Sequence, residues 1–170
     1  GHQTFSEAVE HSCNPVFMET ALRLGTDKFY HYLNEFGFGQ LTGVDVLGEE
    51  KGIIMPRQTV KNVDLARMGF GQAVTVTPLQ LITAISAVIN GGKLMKPHLA
   101  KELCEPVVDE DGQETERLVK AITPQRVRQV ISPETSKIMC QVLEGVVKDG
   151  SGRNAYIPGY RVGGKTGTAQ

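Results

Sequence analysis

Long apolar runs are missing from this sequence. No stretch approaches the ~20 residues that span a bilayer, and Gly1-His2-Gln3-Thr4 does not read as a signal peptide, so any membrane anchor or export signal is expected outside these residues. Charge of one sign is missing as well. Eighteen basic residues stand against nineteen acidic ones, the net charge is −1, and no Lys/Arg run stands out, which argues against nucleic acid as a partner. Paired or metal-bound cysteine is not indicated either: Cys13, Cys104 and Cys140 are odd in number and have neither C-x-x-C spacing nor histidines at finger spacing. Cys104 and Cys140 read as small, buried or half-buried residues. The histidines His2, His11, His31 and His98 are scattered without metal-site spacing, and neither a metal nor an organic cofactor is implied.

What is present is globular. A hydrophobic share of 40% and a charged share of 22% sit near ordinary averages, and the length suits one domain or a large piece of one. Thr4-Phe5-Ser6-Glu7 is a capping box that predicts a short helix to about His11. Asn14-Pro15 predicts an N-cap and first helical residue, with Gly25 closing that helix. Thr26-Asp27 starts a third helix that ends at Gly37. Residues 38–59 read as a long loop with one short strand at Val44-Asp45-Val46, and residues 60–68 as a short helix. Thr77-Pro78 opens a helix to Asn90, apolar on most sides and therefore expected to be deeply buried. Val107-Val108 and Leu118-Val119 flank a turn-forming Asp109-Glu110-Asp111-Gly112 and predict a small hairpin. Ser132-Pro133 starts another helix, Gly150-Ser151-Gly152 breaks it, and Tyr160 to Thr168 reads as a last strand. The fold class expected is α/β (α+β), with more helix than strand.

Two short motifs carry chemistry: Ser12-Cys13-Asn14, a link between two helices, and Lys165-Thr166-Gly167-Thr168 near the last residues. They fit the second and third members of the S-x-x-K, S-x-N, K-T-G set of β-lactamases and penicillin-binding proteins. Taken singly, Ser12 and Asn14 could be caps and Lys165 a solvated edge lysine. Together with Ser12-Cys13-Asn14-Pro15-Val16-Phe17, Gly71-Gln72, Thr77-Pro78-Leu79-Gln80, Asn90-Gly91-Gly92 and Gly163 to Gln170, they make the whole chain resemble class B penicillin-binding proteins. The Ser-Cys-Asn-Pro-Val-Phe form most resembles the sporulation-type members. The resemblance implies the penicillin-binding transpeptidase fold and a serine-type D,D-transpeptidase that cross-links peptidoglycan. It also implies D-Ala-D-Ala stem peptides and β-lactams as ligands, cell-wall synthesis partners, and an extracytoplasmic, membrane-anchored location. By the same resemblance, Ser12 relays protons, Asn14 binds the substrate amide and orients the catalytic lysine, and Lys165 holds positive potential over the site. Thr166 and Thr168 bind the substrate carboxylate, Gly167 keeps the strand clear for substrate, and the Thr168 N–H supplies an oxyanion donor.

No serine of the chain, at 6, 12, 86, 132, 136 or 151, has lysine three residues later. The family's order of motifs places S-x-x-K ahead of S-x-N, so the chain reads as a partial transpeptidase domain (1–170), with the nucleophile expected upstream, further strands downstream, and no activity of its own. Cys13 occupies the variable position of S-x-N with only His11 nearby to lower its pKa, which argues against a nucleophile and leaves redox sensitivity as its special role. A degenerate, non-catalytic scaffold of the same fold stays open as an alternative. Gly159 to Thr166 also satisfies the P-loop pattern G-x-x-x-x-G-K-T, although Pro158 before it and Gly167 after it are poor company for the strand and helix such a loop needs.

Overall fold

The computed structural model describes residues 2–109 and 111–167. Among the described residues there are five α-helices and three two-stranded antiparallel ribbons, a mixed α/β architecture with more helix than strand. Helix α1 (Phe5–Glu10) begins as its capping box requires, the Glu7 N–H donating to Thr4 Oγ1 (3.3 Å) and the Thr4 N–H to Glu7 Oε2 (2.6 Å). Helix α2 (Asn14–Glu35) is capped by Cys13, not Asn14, so Asn14 is already its first residue. It bends at Gly25, whose φ of 79° and ψ of 158° interrupt the helix and divide it into the two helices expected from sequence.

Helix α3 (Asn62–Gly69) packs along α2, with Leu65 and Met68 buried and the Tyr30 hydroxyl donating to the Met55 carbonyl at 2.7 Å. Ribbon β1 (Ile53–Ile54) with β2 (Val74–Thr75) closes the loop before α3. The strand expected at Val44-Asp45-Val46 is not formed. Asp45 instead uses its carboxylate to accept the N–H groups of Leu99 and Ala100, both at 2.8 Å, a local hydrogen-bonding option that competes with a ladder.

Helix α4 (Pro78–Ile89) has the second capping box, between Thr77 and Gln80. Gln80 is only 2% exposed and its amide also donates to the carbonyls of Gln40 and Lys51, which holds both ends of the preceding loop against the helix. The deep burial expected of α4 is not observed: Ala84 and Ala87 are buried, but Leu81, Ile82, Ile85 and Ile89 are exposed because no element among the described residues covers that side.

Strand β3 (Lys93–Lys96) pairs with β6 (Gln125–Gln129), and β4 (Glu102–Val108) with β5 (Glu114–Ala121) in a hairpin longer than the sequence suggested. Asp109 organises the hairpin turn by accepting from the N–H groups of Asp111 and Gln113. Cys104 is exposed on this hairpin, against expectation, because β5 is exposed along its whole length and no element among the described residues covers Cys104 on β4. Helix α5 (Pro133–Lys148), capped by Ser132, crosses α1, and Val9, Val142 and Val146 form a core cluster beneath Phe17. The last strand is also absent: among the described residues, 160–167 belongs to no ladder and lies along α5, with the Gly164 N–H donating to the Leu143 carbonyl at 3.1 Å.

Candidate active site

The α1–α5 packing is what brings the two motifs together. Helix α1 ends at Glu10, and Ser12 turns the chain into α2 with a left-handed φ of 55°, unusual for a residue with a Cβ. On the other side, the bidentate pair of Arg161 with Glu144 and the Gly164–Leu143 hydrogen bond hold residues 161–164 on α5, which carries Lys165 toward Ser12. The result is a contact across 153 residues of sequence: Lys165 Nζ donates to Ser12 Oγ at 2.8 Å. The same ammonium reaches the Thr166 carbonyl (3.1 Å) and Thr166 Oγ1 (3.2 Å). Lys165 as a residue is exposed, yet its ammonium end turns inward and loses part of its water, so burial holds its pKa below the ordinary lysine value.

These groups line one end of a cavity of about 980 Å³, whose walls include Asn14, Phe17, Gln72 and Gly167. Asn14 is exposed there, and no side-chain hydrogen bond ties it down among the described residues, so its amide is free to meet a ligand. A Cβ placed on Gly167 would meet nothing within 4 Å, so the space beside it is open. Thr168 lies outside the described residues. Chemically, the arrangement offers a partly desolvated cation, the hydroxyls of Ser12, Ser151 and Thr166 and the carboxamides of Asn14 and Gln72 around an open space, which suits an anionic ligand with a polar amide.

Comparison with known proteins decides the family. A family model described as the penicillin binding protein transpeptidase domain matches residues 1–170. The chain belongs to the penicillin-binding-protein transpeptidase family. This transpeptidase-family chain is 51% identical over 170 residues to Stage V sporulation protein D of Bacillus subtilis, covering all of this chain and 25% of that protein. It is 31% identical over 181 residues to Peptidoglycan D,D-transpeptidase MrdA of Haemophilus influenzae, covering 100% and 27%. Penicillin binding protein 3 of Mycobacterium tuberculosis, solved in its apo form and with aztreonam and ampicillin, superposes with a TM-score of 0.81 at 32% identity over 98% of this chain and 36–37% of the solved ones. The chain thus spans about a quarter of the curated relatives it matches. The sporulation-type resemblance read from Ser12 to Phe17 agrees with the first of these relatives.

Within the transpeptidase frame the P-loop reading fails. Among the described residues no strand precedes Gly159, where a 3₁₀ turn at Arg153–Ala155 stands instead, and no helix opens at Lys165-Thr166. Two residues of the site were not found from sequence. Gln72 entered only as part of the family resemblance, and Ser151 only as part of a helix-breaking Gly-Ser-Gly, although its hydroxyl lies 3.1 Å from Thr166 Oγ1. Nothing local marked Ser151, since its partner comes fifteen residues later. The three cysteines are free, and Cys13 is half-buried, with Gln3 Nε2 donating to its sulfur at 3.2 Å.

Proposed function

We propose that residues 1–170 form part of the transpeptidase domain of a serine-type D,D-transpeptidase, which cross-links peptidoglycan stem peptides through an acyl-serine intermediate and is acylated by β-lactams. The observation that carries this reading is the Lys165 Nζ–Ser12 Oγ contact at 2.8 Å, which joins the S-x-N and K-T-G motifs on one cavity in a chain of this family. The acyl donor is the D-Ala-D-Ala end of a stem peptide. A serine oxygen attacks the carbonyl between the two residues, the bond to the terminal D-Ala nitrogen breaks, and that amine leaves with a proton; an amine of a second stem peptide then takes the acyl group and frees the serine. The attacking serine belongs to an S-x-x-K motif ahead of Ser12.

Each residue present has a role on this reading. Ser12, which accepts from Lys165 on the wall of the cavity, passes the proton, because a hydroxyl accepts and donates without taking net charge. Asn14 holds the substrate amide, and Lys165 with Thr166 and Thr168 receives the terminal carboxylate, while the open side of Gly167 leaves room for the peptide to lie along the chain. Peptidoglycan as substrate places the site on the extracytoplasmic side of the membrane, with the anchor in another segment. No helix of the described residues is long and apolar enough to cross a membrane.

The test uses a fluorescent penicillin. The 170-residue chain alone is expected to remain unlabelled, since recognition without the attacking serine forms no covalent bond. The full-length protein is expected to be labelled, and Lys165→Ala or Thr166→Ala in it to slow labelling by about 10²-fold or more. Full-rate labelling in both variants would remove Lys165 and Thr166 from the reaction and end the reading of this site, whereas no labelling of the full-length protein would favour a scaffold that keeps the fold without the chemistry.

A further inference from the structure

Ser151 touches both halves of the site. Its backbone N–H donates to the Glu10 carbonyl at 2.8 Å, at the end of α1 and two residues before Ser12. Its hydroxyl lies 3.1 Å from Thr166 Oγ1 and on the wall of the cavity that Ser12, Lys165 and Thr166 share. The approach is close because Gly150 precedes it: a Cβ on Gly150 would collide with the Glu10 carbonyl oxygen, so only glycine lets the turn after α5 press against the end of α1. Further bonds from Gly150 N–H to the Gly145 carbonyl (3.1 Å) and from Gly152 N–H to the Val146 carbonyl (2.9 Å) fix this turn on α5. Ser151 is thereby held by backbone on both sides, with its hydroxyl free to act on Thr166.

We propose that Ser151 is a positioning residue, which sets the direction of the Thr166 hydroxyl so that its proton faces the carboxylate of the bound substrate or β-lactam. The inference rests on the transpeptidase reading above. A threonine hydroxyl has one proton to give and two lone pairs to accept with. Lys165 Nζ can only donate, and at 3.2 Å from Thr166 Oγ1 it takes one of those lone pairs. An arriving carboxylate can only accept, so it draws the Thr166 proton, and the Ser151 hydroxyl then donates to the lone pair that remains. With Ser151 in place all the hydrogen-bonding capacity of Thr166 Oγ1 is satisfied in one orientation. Without it the hydroxyl keeps a free lone pair and can rotate away.

Acylation of the full-length protein by penicillin and by a penicillin whose carboxylate is esterified tests this, since the ester removes the group that Thr166 is aimed at. Ser151→Ala is expected to lower the second-order rate constant for the free acid by about tenfold, the upper end of the worth of one hydrogen bond between neutral groups, and that for the ester by less than about twofold. Ser151→Thr, which keeps the hydroxyl, is expected to restore the rate for the free acid. Equal losses for the two compounds, or no loss for either, would overturn the proposal. If Ser151→Ala loses its fold in thermal melting, Ser151→Cys keeps the size with a weak donor, and the same selective loss is required of it. Thr166→Val run in parallel separates the two readings. A loss in Thr166→Val with none in the Ser151 variants removes Ser151 alone, whereas no loss in Thr166→Val removes the transpeptidase reading on which the inference stands.

Discussion

Ser12 is the residue on which the geometry turns. A non-glycine residue at φ 55° carries a backbone cost of about 1 kcal/mol or more, and such strain persists only where the surroundings enforce it. Here the enforcement is visible: the N–H groups of Ser12 and Cys13 return to the carbonyls of Val9 and Ala8, and the Ser12 hydroxyl receives the Lys165 ammonium. That ammonium is the other sensitive group. Burial lowers its pKa, so the cation to which the proposed function assigns the substrate carboxylate is lost as pH rises through a value below the ordinary ~10.4 of lysine. The alkaline limb of the acylation rate in the full-length protein is therefore expected to fall below that value. In Lys165→Arg, which keeps its charge over the whole range, the limb is expected to shift upward whatever the absolute rate becomes. A limb at the same pH in both proteins would mean that Lys165 does not supply the charge.

At the scale of elements, α2 shows how distant segments finish what local sequence starts. Its first turn has Pro15 and no side-chain cap, and its last carbonyls receive a guanidinium from β6: Arg128 Nε donates to the Glu35 carbonyl (2.9 Å) and Nη2 to the Asn34 carbonyl (3.0 Å). A cation at a helix C-terminus also opposes the negative end of the helix dipole. Arg128→Ala is expected to lower unfolding free energy by about 1–2 kcal/mol in urea melts, and Arg128→Lys to recover only part, since an ammonium does not reproduce the two-pronged contact. Helices were legible in the sequence because their signals are local: Thr4 and Glu7, Thr77 and Gln80, and Ser132 with Pro133 lie within a turn of one another. The pairings of Lys93 with Gln129 and of Ile53 with Thr75 were not legible, because ribbons join residues far apart that carry no mark of each other. The site divides in the same way. Ser12, Asn14, Lys165 and Thr166 stood out through short motifs, whereas Ser151 reaches Thr166 only through the α1–α5 packing. The run expected as a strand from Tyr160 to Thr168 shows the opposite case, since its described residues, 160–167, form no ladder and no strand among the described residues lies beside them to bond with.

Over the whole molecule, the sequence and the described residues disagree about α4, and the disagreement has a physical consequence. Leu81, Ile82, Ile85 and Ile89 are 46%, 58%, 44% and 51% exposed, and with Pro78 and Leu79 several of them form a shallow apolar groove. A helix apolar on most sides is the pattern of one covered on most sides, yet this chain spans about a quarter of the curated relatives it matches, and its own described elements cover only the face that carries Gln80, Ala84 and Ala87. Apolar surface left in water forgoes about 25 cal/mol for each Å² that could be buried, and contiguous patches of this kind drive dye binding and self-association. The 170-residue chain alone is therefore expected to bind a hydrophobic-surface dye such as ANS strongly and to associate with itself as its concentration rises. The double substitution Ile82→Glu and Ile85→Glu, made on the exposed face away from Gln80, is expected to cut dye fluorescence several-fold and shift sedimentation toward the monomer, with far-UV circular dichroism unchanged. Unchanged fluorescence in a folded double variant would mean that the dye sits elsewhere, and the cavity beside Phe17 and Lys165 would be the next site to examine.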